Sequence, residues 1–223
     1  MPGPTVLSRL IDFFWIGRDG TDTVGRVNPE ASKPPTPGPG LIPPHGGYEK
    51  LKSYQNSVIV YDATVKFCDR FIDPRSRTHD QMVQAARSGN KNIAEGSQVS
   101  GTSKKFELKL VSVARGSLEE LLGDYRDFLR QRGLIEWGKE HPMSGVVRRL
   151  AYEENRTYAT YRSNIENGTP EVAANTMLCL VHQTNYLLDQ QLRQLEAQFV
   201  EEGGFTERLY RVRSERRNRD GPG

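Results

Sequence analysis

Arg87-Ser88-Gly89-Asn90-Lys91-Asn92-Ile93-Ala94-Glu95-Gly96, a polar break, then Ser103-Lys104-Lys105-Phe106 and on to Ala114-Arg115-Gly116-Ser117-Leu118-Glu119-Glu120-Leu121: this stretch decides the fold. It reads as a helix end, a tight loop and a helix start. Gly96 stands where a helix leaving through Ile93 and Ala94 takes a residue tolerant of positive φ. Gly101-Thr102-Ser103 supplies loop freedom and an N-cap hydroxyl, and Phe106 opens the next apolar stripe. So short a connection forces two antiparallel neighbours, a helical hairpin.

Outward from the hairpin the pattern stays helical. Leu51, Tyr54, Val58, Tyr61, Val65, Cys68 and Ile72 recur three and four apart, which predicts a heptad seam on a helix over 48–72. Asp73-Pro74 ends it, because the residue before proline is pushed out of the helical region. A second helix over 76–95 carries Met82, Ala86, Gly89 and Ile93 on one face. A third over 103–132 carries two stripes, Phe106/Leu110/Val113/Ser117 and Leu108/Val111/Leu118/Leu122/Tyr125/Leu129. So wide an apolar surface exceeds the needs of one core and points to subunit contacts. Gly133 caps this helix, and an Arg- and Tyr-rich helix follows over 146–164. Thr169-Pro170 then starts a long helix with Leu178, Val181, Asn185, Leu188, Leu192, Leu195 and Phe199 on its seam, ended by Gly203-Gly204. Asn185, the polar member, reads as a register device.

The predicted fold is therefore all-α: an antiparallel up-down four-helix bundle with a helical insertion before the last bundle helix and disordered termini. Residues 1–47 hold an apolar patch and a Pro/Gly-rich linker, 48–204 the bundle with its insertion at about 135–168, and 205–223 a basic tail. The patch, Val6 to Ile16, has two readings: a peripheral docking helix, or a start with no role of its own. Arg9 and Asp12 interrupt it and no small-residue cleavage site follows, so no signal peptide is predicted. Pro34-Pro35-Thr36-Pro37-Gly38-Pro39-Gly40 reads as a spacer before it reads as a proline-recognition ligand.

The chain has 223 residues, 35% hydrophobic and 26% charged, with a net charge of +3. That composition suits amphipathic helices, and the mild basicity permits a polyanion partner without demanding one. No run approaches the roughly 20 apolar residues of a membrane span. Cys68 and Cys179 sit in helical apolar patterns, as buried thiols of a reducing cytoplasm would. His45, His79, His141 and His182 are scattered, and neither paired-His nor Cys-x-x-Cys spacing occurs, so no enzyme, metal or cofactor is predicted. Glu95 and Glu120 are expected to face inward with Arg87 and Arg115 as mates; with Asn92 they form a structural polar cluster pinning the second helix to the third. The candidate nucleic-acid contacts are Lys104, Lys105 and Lys109, with Arg148, Arg149, Arg156 and Arg162 interleaved with Tyr152, Tyr158 and Tyr161. Arginine forks and aromatic faces suit phosphates and unstacked bases. The competing reading of these groups is a solvated helix face.

Asn92-Ile93-Ala94-Glu95-Gly96, Ser103-Lys104-Lys105-Phe106 and Ala114-Arg115-Gly116-Ser117 with Glu120 together resemble the signature of a four-helix-bundle family. It includes the S23-like proteins encoded in intervening sequences of 23S ribosomal RNA genes and the accessory variability determinant of diversity-generating retroelements. The likeness covers roughly residues 48–134 and resumes near Thr169. Ser88-Gly89-Asn90 replaces a more apolar turn, and the long segment before the last helix resembles the suffix-bearing subgroup. The resemblance implies a bacterial, cytoplasmic, non-catalytic accessory protein. It implies a ring-like homo-oligomer, a pentamer, that binds structured RNA or DNA beside a reverse transcriptase. The alternative is a protein-interaction scaffold that uses the spare stripe of the third helix and the N-terminal patch.

Overall fold

A computed structural model describes residue 42 and residues 45–220, the last by its backbone alone. The N-terminal patch and nearly all of the Pro/Gly-rich linker lie outside these residues. The described residues are all-helical, without a strand. A 3₁₀ turn at Tyr48–Lys50 precedes α1 (Lys52–Phe71), α2 (Arg77–Val99) and α3 (Lys104–Gln131). Then come α4 (Pro142–Leu150), α5 (Tyr158–Arg162) with a π turn at Ser163–Asn167, α6 (Pro170–Glu202) and α7 (Phe205–Asp220). No helix among these is long and apolar enough to cross a membrane.

The four long helices pack in a cycle, α1 on α2, α2 on α3, α3 on α6 and α6 back on α1. Their cross-links run in opposite senses along each pair. Ser53 donates to Gln191 at 2.7 Å near the start of α1, whereas Arg70 near its end donates to Gly168 O at 2.6 Å, just before α6. Lys104 reaches Gln198 at 3.5 Å, and eleven residues on Arg115 meets Asp189 at 3.0 Å. The insertion covers one side of this cycle, α4 against α6 and α5 against α1. Trp137 ties its entry to α6, its backbone N–H donating to Asn175 at 2.7 Å and its indole to Glu171 at 3.1 Å.

Start and stop chemistry is as the sequence implies at most ends. Ser103 accepts from Phe106 N–H, Thr169 from Val172 N–H with Pro170 in the first turn, and Gly133 holds φ 63° after α3. Met82, Ala86, Gly89 and Ile93 are all buried on α2.

Four expectations need correction. The first concerns Gly96, which does not end α2. The helix runs on to Val99 with Gly96 buried inside it, because the loop needs only residues 100–103. The residue that closeness demands is Gly89: a Cβ there would lie 2.8 Å from Leu118 Cγ. Second, of the predicted α1 seam only Cys68 is fully buried; Leu51, Tyr54, Val58, Tyr61, Val65 and Ile72 are half-buried, so the central seam lies elsewhere. It runs one residue earlier, through Ser53, Ser57, Val60, Thr64 and Phe67, about 100° around the helix. Leu51 nevertheless packs against the core and Leu178 is buried in it. Third, the helix predicted over 146–164 is two short ones, broken at Asn155, which takes the left-handed φ of 54°. Fourth, the tail is no irregular arm: Phe205–Asp220 is helical. Glu207/Arg211 and Glu215/Arg219 are spaced four apart, the Glu-before-Arg order that supports a helix, and neither Gly nor Pro interrupts the run.

Candidate nucleic-acid interface

The lysine set begins just after the Ser103 cap, in the first turns of α3. Lys104 Nζ lies 3.2 Å from the Glu107 carboxylate and is half-buried. Glu107 itself is buried, and that burial raises its pKa against the opposing pull of Lys104. Lys104 therefore serves to neutralise a buried carboxylate. Lys105 and Lys109 are exposed.

The arginines of the insertion divide in the same way. Arg148 donates to Lys139 O at 2.7 Å inside the insertion, and Arg156 donates to the buried Asn56 amide oxygen, which ties the insertion to α1. Arg162 is exposed beside Glu166 at 3.6 Å and lies 5.8 Å from the Tyr158 ring centre; Arg149 is exposed. Of the interleaved tyrosines, Tyr161 is fully buried and Tyr158 donates to Glu166 at 2.8 Å, leaving Tyr152 as the exposed ring. The two sets do not form one patch. Lys104 meets α6 at Gln198, whereas Arg148 acts on Cys179, nineteen residues or about 30 Å away along that helix.

Lys104 contacts α6 one turn before its C-terminus, where Gly203-Gly204 turns the chain into α7. Gly204 N–H donates to Glu207 at 2.9 Å and Arg208 pairs with Glu202 at 3.7 Å, which fixes the start of the helix. No described residue of α7 is buried. Its six arginines (208, 211, 213, 216, 217 and 219) face Glu207, Glu215 and Asp220, a net of +3. That equals the formal charge of the whole chain, so the remaining residues sum to zero. The spacing of Glu207/Arg211 and Glu215/Arg219 was the sequence signal for this helix.

The polar cluster expected between α2 and α3 is not formed as such. Arg87, Glu95 and Glu120 are exposed, and Asn92 donates to Ser88 at 3.1 Å. Arg115 bridges Glu119 and Asp189, pinning α3 to α6 instead of to α2. Small residues explain the difference: α2 and α3 approach too closely, through Gly89 against Leu118 and Ser88 against Ser117 at 3.0 Å, to seat long charged side chains between them. Asn185 bonds the same network through Glu119 at 3.3 Å. Both cysteines are free; burial pushes the Cys68 thiol up to about 12 and raises Cys179 as well, the opposite of an activated thiolate. Among the described residues no three His, Cys, Asp or Glu side chains stand in metal-holding proximity. Set against known protein families, curated proteins and solved structures, the chain matches none.

Proposed function

We propose that this chain is a non-catalytic, cytoplasmic accessory protein that binds structured RNA or DNA through the basic end formed by α7 with Lys105 and Lys109. Its four long helices constitute an antiparallel up-down four-helix bundle, with α4 and α5 as the insertion before the last of them. As the resemblance of the Asn92–Gly96 and Ala114–Ser117 motifs implies, it works as a homo-oligomer, a pentamer, alongside a reverse transcriptase. The observation that carries the reading is the placement of the chain's entire net charge on one exposed helix. Phosphate contacts dominate nucleic-acid affinity, and each arginine that displaces a counterion steepens its dependence on salt. Fluorescence anisotropy with a labelled RNA hairpin tests this. Affinity should fall roughly 10²-fold or more between about 50 mM and 200 mM salt. Absent or salt-independent binding overturns the reading. A second reading, a protein-interaction scaffold, draws on Phe106 and Val113, which are 42% and 44% exposed on the outer stripe of α3.

A further inference from the structure

The outer face of α3 changes character along its length. Phe106 and Val113 are exposed apolar side chains at its start. Seven, four, three and four residues separate Phe106, Val113, Ser117, Glu120 and Asp124, so all five lie on one stripe. The second half of that stripe forms one wall of an open groove of about 780 Å³ between α2 and α3. Asp80, Glu120 and Asp124 line it against a single cation, Arg77, with Gln84 and Ser88 as further polar groups. The groove is short of positive charge: Asp124 has its pKa raised by burial and by the neighbouring carboxylates of Asp127 and Glu120.

The complement of this stripe is α7. Phe205, Leu209, Val212, Arg216 and Arg219 follow one another at four, three, four and three residues, again one face, apolar at its start and cationic at its end. Laid parallel to α3, α7 sets its apolar residues on Phe106 and Val113 and its arginines among Glu120, Asp124 and Asp80. The 16 residues of α7 span about 24 Å, against about 27 Å from Phe106 to Asp124. We propose that α7 of one copy docks in the α2–α3 groove of a second copy.

The copy's own α7 does not reach. It leaves from α6, which packs on α1 and α3, while the groove lies on the side of α3 turned toward α2. With packed helices about 10 Å apart, the groove centre is nearly 20 Å from the α6 axis. The link of Gly203 and Gly204 spans only about 10 Å between the two helices. Each copy therefore gives one helix and receives another, a head-to-tail contact. This goes beyond the nucleic-acid reading and does not rest on it.

Two full-length variants test the contact by sedimentation velocity at low salt. Glu120→Lys/Asp124→Asn disables the receiving groove but keeps its α7, and Arg216→Glu/Arg219→Glu does the reverse. Each alone should sediment as the 25.2 kDa protomer, and an equal mixture should give one species of twice that mass. A mixture that stays monomeric, or a single variant that assembles as wild type does, overturns the proposal. Val113→Glu, at an exposed position, is a second receiving-face variant and should also lose assembly while keeping the wild-type circular dichroism and Tm. RNA binding by Glu120→Lys/Asp124→Asn, read separately, stays at or above the wild-type level because α7 keeps its arginines, so failure of the docking and failure of the nucleic-acid reading are told apart.

Discussion

Where α1 and α3 finish, the helical core is held by rings; where they begin, it is held by hydroxyls and amides. At the first end Phe67 packs edge-on against Tyr125 and Phe128 with centroids 4.9 and 4.8 Å away, and Arg132 lies 3.8 Å over Phe128. Tyr125 is fully buried and satisfied by Thr64 at 2.9 Å. At the second end Ser53 bonds Gln191 at 2.7 Å, Asn90 bonds Ser57 at 3.0 Å, Arg156 reaches Asn56 and Lys104 neutralises Glu107. Burial of a large apolar side chain is worth about 1.5–3 kcal/mol, whereas a net hydrogen bond contributes about 1 kcal/mol. The aromatic end therefore carries more of the stability. Polar pairs have fixed geometry, so the other end carries more of the register, and it is also where the basic helix α7 departs.

Truncation at each end separates the two contributions most sharply. Phe67→Ala should cost about 3–5 kcal/mol in urea unfolding, since it removes a ring with no exposed surface and leaves a cavity. Asn90→Ala should cost only about 0.5–1.5 kcal/mol, because Ser57 keeps its bond to Tyr54 O at 2.7 Å. Equal losses would dissolve the distinction between the ends.

The two buried glycines of α2 sharpen it further. Gly89→Ala should destabilise by about 1–3 kcal/mol, since its Cβ would meet Leu118 Cγ at 2.8 Å. Gly96→Ala should stabilise by about 0.5–1 kcal/mol, because its nearest neighbours stand at an ordinary 3.5 Å and alanine is the better helix former. Thermal melts of both variants measure the contrast, and opposite signs are expected.

A smaller effect belongs to Glu107. Its folded pKa is raised above the ordinary 4.5, so as pH climbs past that value the unfolded carboxyl ionises before the folded one. The stability contributed by the protonated form is present below 4.5 and is lost as pH rises through the folded pKa. Glu107→Gln should remove that part of the decline from a Tm–pH profile measured upward from pH 4. An unchanged profile would show that Lys104 already compensates the burial.

The sequence showed helix ends and small-residue faces better than either end of the core: of the aromatic cluster only Tyr125 fell on a predicted stripe, and Phe67 and Phe128 did not. Helix starts such as Thr169-Pro170 and the small-residue face of α2 rest on local chemistry, and they stand in the structure as the sequence implies. The α1 seam was misplaced by one residue because Ser53, Ser57 and Thr64 carry no apolar signal. They are buried by virtue of partners such as Gln191, Asn90 and Tyr125, which lie 33 to 138 residues away. The site shows the same limit. Residue type marked Lys104 and Arg156 as candidate phosphate contacts; the Lys104–Glu107 pair is a three-residue spacing on one helix, whereas only tertiary structure shows Arg156 committed to Asn56, 100 residues away. The helix that gathers the tail arginines was missed, because the basic composition reads as a disordered tail and the Glu207/Arg211 and Glu215/Arg219 spacing was not weighed.

The central claim is that the cationic surface belongs to α7 and not to the insertion. The slope of log affinity against log salt for an RNA hairpin measures this directly, with Arg213→Glu/Arg217→Glu compared against Arg149→Glu/Arg162→Glu. The α7 variant should flatten the slope by about 2, and the insertion variant should leave it near wild type. The reverse pattern, with the insertion variant flattening the slope and the α7 variant unchanged, would contradict the account.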